Sequence, residues 1–72
     1  MQSELIQRIS AQFPEGQVIV EVDGNRADIR VTSEVFRGMS RVKQQQAVYA
    51  CIEDYISDGR LHAVNIKAQL PD

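Results

Sequence analysis

Tryptophan is absent from this chain of 72 residues, and cysteine and histidine occur once each, as Cys51 and His62. One cysteine excludes an intrachain disulfide, and one cysteine with one histidine falls short of the four ligands of a structural zinc site. No stretch approaches the ~20 consecutive apolar residues of a membrane span, so no membrane partner is expected. The opening Met1-Gln2-Ser3-Glu4 has neither the basic nor the apolar segment of a secretory signal. With a free thiol, this leads to the expectation of a cytoplasmic protein in a reducing compartment. Excess charge of one sign is also lacking. Eight basic and ten acidic side chains give a net charge of −2, so no global field draws the molecule toward nucleic acid, and any such contact needs a local basic patch. Repeats, linkers and low-complexity runs are missing too. Residues 1–72 are expected to form one domain whose core supplies only about 3–5 kcal/mol of net stability.

What is present is patterned. Leu5, Ile6, Ile9 and Phe13 have the spacing of a short amphipathic helix over Ser3–Gln12, with Ser3 as its expected N-cap and Glu4 near its positive end. Pro14-Glu15-Gly16 stops it. Val18, Val20 and Val22 then alternate with Ile19 and Glu21. After Asp23-Gly24-Asn25, Ala27, Ile29 and Val31 alternate with Asp28, Arg30 and Thr32. Two β-branched runs around an Asp-Gly turn predict a hairpin with one apolar face. Ser33–Gly38 reads as a single helical turn with Phe36 pointing inward. Ser40 is the expected cap of a second helix running to about Ser57. Its buried stripe is expected to comprise Val42, Ala47, Val48, Cys51, Ile52, Tyr55 and Ile56, with Lys43, Gln44 and Gln46 outside. Asp58-Gly59 ends that helix, and His62–Ala68 reads as a third strand. The order α-β-β-α-β predicts an α+β fold: a three-stranded mixed sheet with helices packed on one face and a right-handed parallel crossover into the last strand.

Catalysis finds little support in these residues. Cys51 lies on the apolar stripe, a poor place for a thiolate, and Glu53, Asp54 and Asp58 read as a solvated helix face. No nucleophile has a base beside it, so the chain is read as a non-enzyme. Nucleic acid is a second candidate. Arg37, Arg41 and Lys43 surround the start of the second long helix, where Ser40 and outward-pointing amides favour anions, and Arg26 and Lys67 extend the set. Glu34 lies among them and no aromatic row offers base stacking, so an ordinary charged face is the competing reading. His62 is the third candidate. A lone histidine opening a strand is more often structural, and it could hold a metal only jointly with a partner chain.

Phe36-Arg37-Gly38-Met39-Ser40-Arg41-Val42-Lys43-Gln44-Gln45-Gln46-Ala47-Val48-Tyr49 resembles the central signature of the BolA family, and "LHAVNIKAQLP" resembles that family's His-Ala-containing third strand. The likeness runs in matching order over nearly the whole chain and is strongest to the short, IbaG-like bacterial members. It implies a class II KH-like fold and partnership in a heterodimer with a monothiol glutaredoxin. The pair would share a 2Fe–2S cluster, with the glutaredoxin cysteine and glutathione supplying thiolates and His62 the expected ligand from this chain; no cofactor is expected in the isolated protein. Arg37, Arg41, Lys43 and Lys67 are then expected to help dock the partner or the glutathione carboxylates. Many relatives carry a second His or Cys in the hairpin loop, where this sequence has Arg26, whose guanidinium stays protonated and cannot ligate a metal. Family members are also described as stress-related DNA-binding regulators, which makes a nucleic-acid-binding regulator the alternative. Gly38-Met39-Ser40-Arg41 is not a Gly-x-x-Gly loop of the KH type.

Overall fold

Period-two alternation folds as its pattern requires. In the computed structural model, which describes residues 1–72, Gln17–Asp23 (β1) and Arg26–Thr32 (β2) pair antiparallel, from Gln17 opposite Thr32 to Asp23 opposite Arg26. The turn proper is Gly24-Asn25, since Asp23 is already paired. Gly24 has φ 61° while Asn25 keeps a negative φ, the arrangement of a type II′ hairpin turn that needs glycine first. Ala63–Gln69 (β3) pairs parallel with β2, giving the order β1-β2-β3 and the crossover expected from sequence. This last strand starts one residue late. His62 lies in the bend before it rather than inside it.

The apolar face of the sheet presents Val20, Ala27, Ile29 and Val31, all buried, with Val64, Ile66 and Ala68 partly covered. Gln2–Gln12 (α1) lays Leu5 and Ile9 on it, and Phe13 packs against Phe36 with ring centroids 5.1 Å apart. Ser3 does not cap α1. The helix begins at Gln2 with Met1 in the cap position and no side-chain cap, because the Leu5 amide already donates to the Met1 carbonyl at 3.1 Å. Phe36 closes the expected single turn, Glu34–Phe36, a 3₁₀ turn. Ser33, the one buried polar residue of the core, accepts from the Val35 amide and donates to the Glu15 carboxylate.

The second long helix is two helices. Arg41–Tyr49 (α2) starts at Ser40, whose Oγ accepts from the Lys43 amide as expected, and Glu53–Ser57 (α3) follows after a tightened turn. In that turn the Cys51 amide donates to the Val48 carbonyl and the Ile52 amide to the Tyr49 carbonyl, both i→i+3 bonds. A straight helix over these seventeen residues would run on for about 25 Å in one direction. Val48, Ile52 and Tyr55, spaced i, i+4 and i+7, keep one apolar face across the break and are all fully buried. Val42 does not join them and is 64% exposed. It lies six residues before Val48, about 120° around the helix from the buried stripe.

Candidate functional site

Because β2 and β3 are parallel and in register, their first residues, Arg26 and Ala63, lie side by side. The residues just before them therefore meet at one corner of the sheet. The amides of His62 and Ala63 both donate to the Asn25 carbonyl, at 2.8 and 3.3 Å, which ties the histidine to the hairpin turn. Leu61, 1% exposed, anchors the segment in the core, and its amide donates to the Tyr55 carbonyl at 2.9 Å. The backbone on either side of His62 is thus fixed while its side chain is exposed. The imidazole passes over Gly59, where a Cβ would come within 3.9 Å of Nε2. Gly59 holds φ 84°, the left-handed conformation that ends α3 and that favours glycine.

The loop carrying His62 is braced by charge. Arg60 donates from Nε to Asp58 at 2.8 Å, lies 3.6 Å from Asp54, and stacks 3.8 Å over the Tyr55 ring, while Arg8 donates to Asp54 at 2.6 Å. The hydrogen bond from Arg8 holds the Asp54 carboxyl below the usual range. Burial, aided by its hydrogen bond to Glu4, pushes the Tyr55 hydroxyl up. Asp54 and Asp58 are therefore committed to arginines. Cys51 offers no second ligand: it is half-buried, donates to the Ala47 carbonyl at 3.5 Å, and burial pushes its thiol up, away from the thiolate. No group of three or more His, Cys, Asp or Glu side chains is arranged to hold a metal ion. This corner offers one metal-binding donor, the His62 imidazole; the exposed Arg26 opens β2 at the same end of the sheet, paired with Ala63.

The remaining basic residues fall into separate places. Arg37 is bound by Glu34, through Nε at 3.1 Å and Nη2 at 2.8 and 2.7 Å. Lys43 is exposed on α2. Arg41 and Lys67 share a shallow concavity between α2 and β3, and Lys67 also sits opposite Arg30 on the exposed sheet face. Sequence reasoning passed over Arg30; only the parallel register puts it beside Lys67. That sheet face is mixed in charge, since Glu21 and Asp28 are also paired across it. Arg26 lies at the far end of β2, about 13 Å from the level of Lys67 at the usual rise per strand residue. No helix is long and apolar enough to cross a membrane.

A mixed three-stranded sheet backed by helices is an arrangement shared with known proteins. A profile of the BolA-like protein family matches residues 10–72, and the chain belongs to that family. Within it, the sequence is 45% identical over 71 residues to the acid stress protein IbaG of Escherichia coli K12, covering 99% of this chain and 80% of that one. BolA1 from Arabidopsis thaliana superposes with a TM-score of 0.86 at 23% identity, over 97% of this chain and 90% of that one. A BolA homologue from Coxiella burnetii superposes with a TM-score of 0.79 at 25% identity, over 100% and 92%.

Proposed function

We propose that this BolA-like chain is a non-enzymatic cytoplasmic adaptor that pairs with a monothiol glutaredoxin and contributes His62 to a 2Fe–2S cluster shared with that partner and glutathione. The observation that carries the reading is the contrast at one residue: the backbone of His62 is held at 2.8 Å from the Asn25 carbonyl, while its imidazole is exposed over Gly59. A residue fixed in this way presents a nitrogen to an incoming molecule with little ordering left to do. The donor set fits such a cluster only as a shared one, since this chain supplies a single imidazole and the thiolates must come from elsewhere. When bound, a cluster ligated by one neutral imidazole in place of a thiolate carries one less negative charge, which raises its potential. Arg26 cannot ligate, but it opens β2 at the same end of the sheet as His62, where its fixed positive charge favours the approach of thiolates and of a glutathione carboxylate. Arg41 and Lys67 lie along the other part of β3, where they can meet acidic residues of a docked partner. A stress-related role in iron–sulfur trafficking or sensing follows from this reading and accords with the name of the IbaG relative.

The test is reconstitution of the mixed complex with glutaredoxin and glutathione, followed by visible absorption and circular dichroism beside a His62→Ala variant. A changed spectrum and a shortened cluster lifetime are expected; identical spectra and lifetimes remove His62 from the coordination shell. The adjacency of Arg41, Lys67 and Arg30 favours a second reading, a nucleic-acid-binding regulator. With three cations engaged, log affinity would fall with log salt at a slope of about −2.7 on duplex DNA. Weak binding that is indifferent to Arg41→Ala and Lys67→Ala sinks it.

A further inference from the structure

β3 is an edge strand, and its backbone shows which groups face outward. Ala63 donates its amide to the Asn25 carbonyl, and Gln69 accepts from the Ser33 amide through its own carbonyl. In a parallel ladder the direction alternates, so residues 63, 65, 67 and 69 turn toward β2 while Val64, Ile66 and Ala68 turn their amides and carbonyls to the free edge. Only one of those outward groups has a partner in the chain. The Ile66 carbonyl accepts from Gln45 Nε2 at 2.8 Å, a bond from a side chain of α2.

Gln45 thereby divides the trough between α2 and β3 into two concavities. One, about 410 Å³, is bordered by Tyr49, Ala50 and Ile66 together with Gln45, Gln46 and Glu53, with Tyr49 39% exposed. The other, about 350 Å³, is bordered by Arg41 and Lys67, neither of which has an ion-pair partner in the chain. An uncovered Tyr49 in one half, two unpaired cations in the other and a strand edge between them match the needs of one kind of ligand. We propose that β3 accepts an extended acidic peptide segment as a fourth strand, with Gln45 swinging off the Ile66 carbonyl to admit it. Backbone bonds to Val64, Ile66 and Ala68 would supply affinity, an apolar side chain would rest on Tyr49, and a carboxylate would meet Arg41 and Lys67. Charge favours the acidic peptide over a second copy of the chain, because edge-to-edge antiparallel pairing about Ile66 would set Lys67 opposite Asn65 and offer it no counter-charge. The proposal is independent of His62 and of any cluster.

The probe is a capped hexapeptide of alternating valine and glutamate, titrated into the full chain and followed by amide NMR shifts and hydrogen exchange. The amides of Val64, Ile66 and Ala68 and the Gln45 side-chain amide should shift, and the three backbone amides should gain protection. A peptide N-methylated on alternate amides should bind at least tenfold more weakly, and a lysine-for-glutamate peptide severalfold more weakly. Arg41→Ala combined with Lys67→Ala should abolish that preference. Gln45→Ala should tighten binding by about two- to tenfold, the equivalent of one net hydrogen bond released. Gln45→Glu, which keeps the size of the side chain but removes the donor, serves as the control for folding. Unshifted outward amides, equal binding of the N-methylated peptide, self-association through β3, or displacement of the peptide by a short DNA duplex at this edge would each overturn the proposal.

Discussion

Replacing Tyr55 by Phe removes one oxygen from the centre of the molecule and tests how the core is joined to its charged rim. The ring is fully buried, and Arg60 and Arg8 stack over it with guanidinium carbons 3.8 and 4.7 Å from its centroid. Phe keeps that packing. What disappears is the hydroxyl's donation to Glu4 Oε2 at 3.0 Å, which links α3 to α1 across 51 positions of sequence. A hydrogen bond to a charged acceptor is worth about 1.5–3 kcal/mol, and solvent screening of the exposed Glu4 brings this one below that range, to about 1–1.5 kcal/mol. For a domain of this size each kcal/mol lost lowers Tm by about 4–8 °C, so a fall of about 5–10 °C is expected in a thermal melt followed by circular dichroism. A double-mutant cycle with Glu4→Ala separates this bond from the contact of Glu4 with the terminal amine at 3.8 Å. A Tm within about 2 °C of the parent, or a coupling energy near zero, refutes the reasoning.

Other expectations follow from the same packing. Asp54 has its carboxyl depressed from an ordinary value of 3.8 by Arg8, so its contribution to stability is present above that value and lost as pH falls through the lower folded one. Acid melts should therefore show a flatter low-pH limb for Asp54→Asn than for the parent, and parallel limbs contradict the pairing. Ile52→Ala should cost about 2–5 kcal/mol, a large share of the net stability, whereas Val42→Ala should stay within about 0.5 kcal/mol. Urea titration distinguishes them, and equal losses would contradict the burial of Ile52 and the exposure of Val42. The Cys51 thiol, pushed up by burial, should react with an aromatic disulfide reagent more slowly in the native chain than in the denatured one.

The parts of the fold written in local periodicity were legible before the structure. Alternation gave both hairpin strands, and the helix-then-strand order gave the parallel crossover, because each is decided by residues close in sequence. The misses have other sources. Val42 joins the expected stripe by its residue type, yet helical spacing sets it about 120° from Val48. Ile52 follows Val48 by four residues and stays on the buried face, and the break after Tyr49 carries no local stop signal such as glycine or proline. Ser3 looked like a cap because its residue type suits one, but the helix gained a residue by starting at Gln2. At the site, His62 was visible as the only histidine, and family resemblance marked it. Its bonding to the Asn25 carbonyl was not visible, since it depends on two strand starts 37 residues apart lying in register. The basic residues show the reverse. They read as one patch along the sequence, and the fold separates Arg26 from Lys67 and pairs Lys67 with Arg30 instead.

The central claim is that His62 lends a nitrogen to a shared cluster, and pulsed electron paramagnetic resonance reads that nitrogen directly. The chain would carry nitrogen-15 in its single histidine, the glutaredoxin and glutathione would remain unlabelled, and the reconstituted cluster would be reduced by one electron. A strongly coupled nitrogen-15 signal that vanishes in His62→Ala is the predicted result. A reduced cluster that shows no such coupling, or one whose coupling survives the substitution, contradicts it.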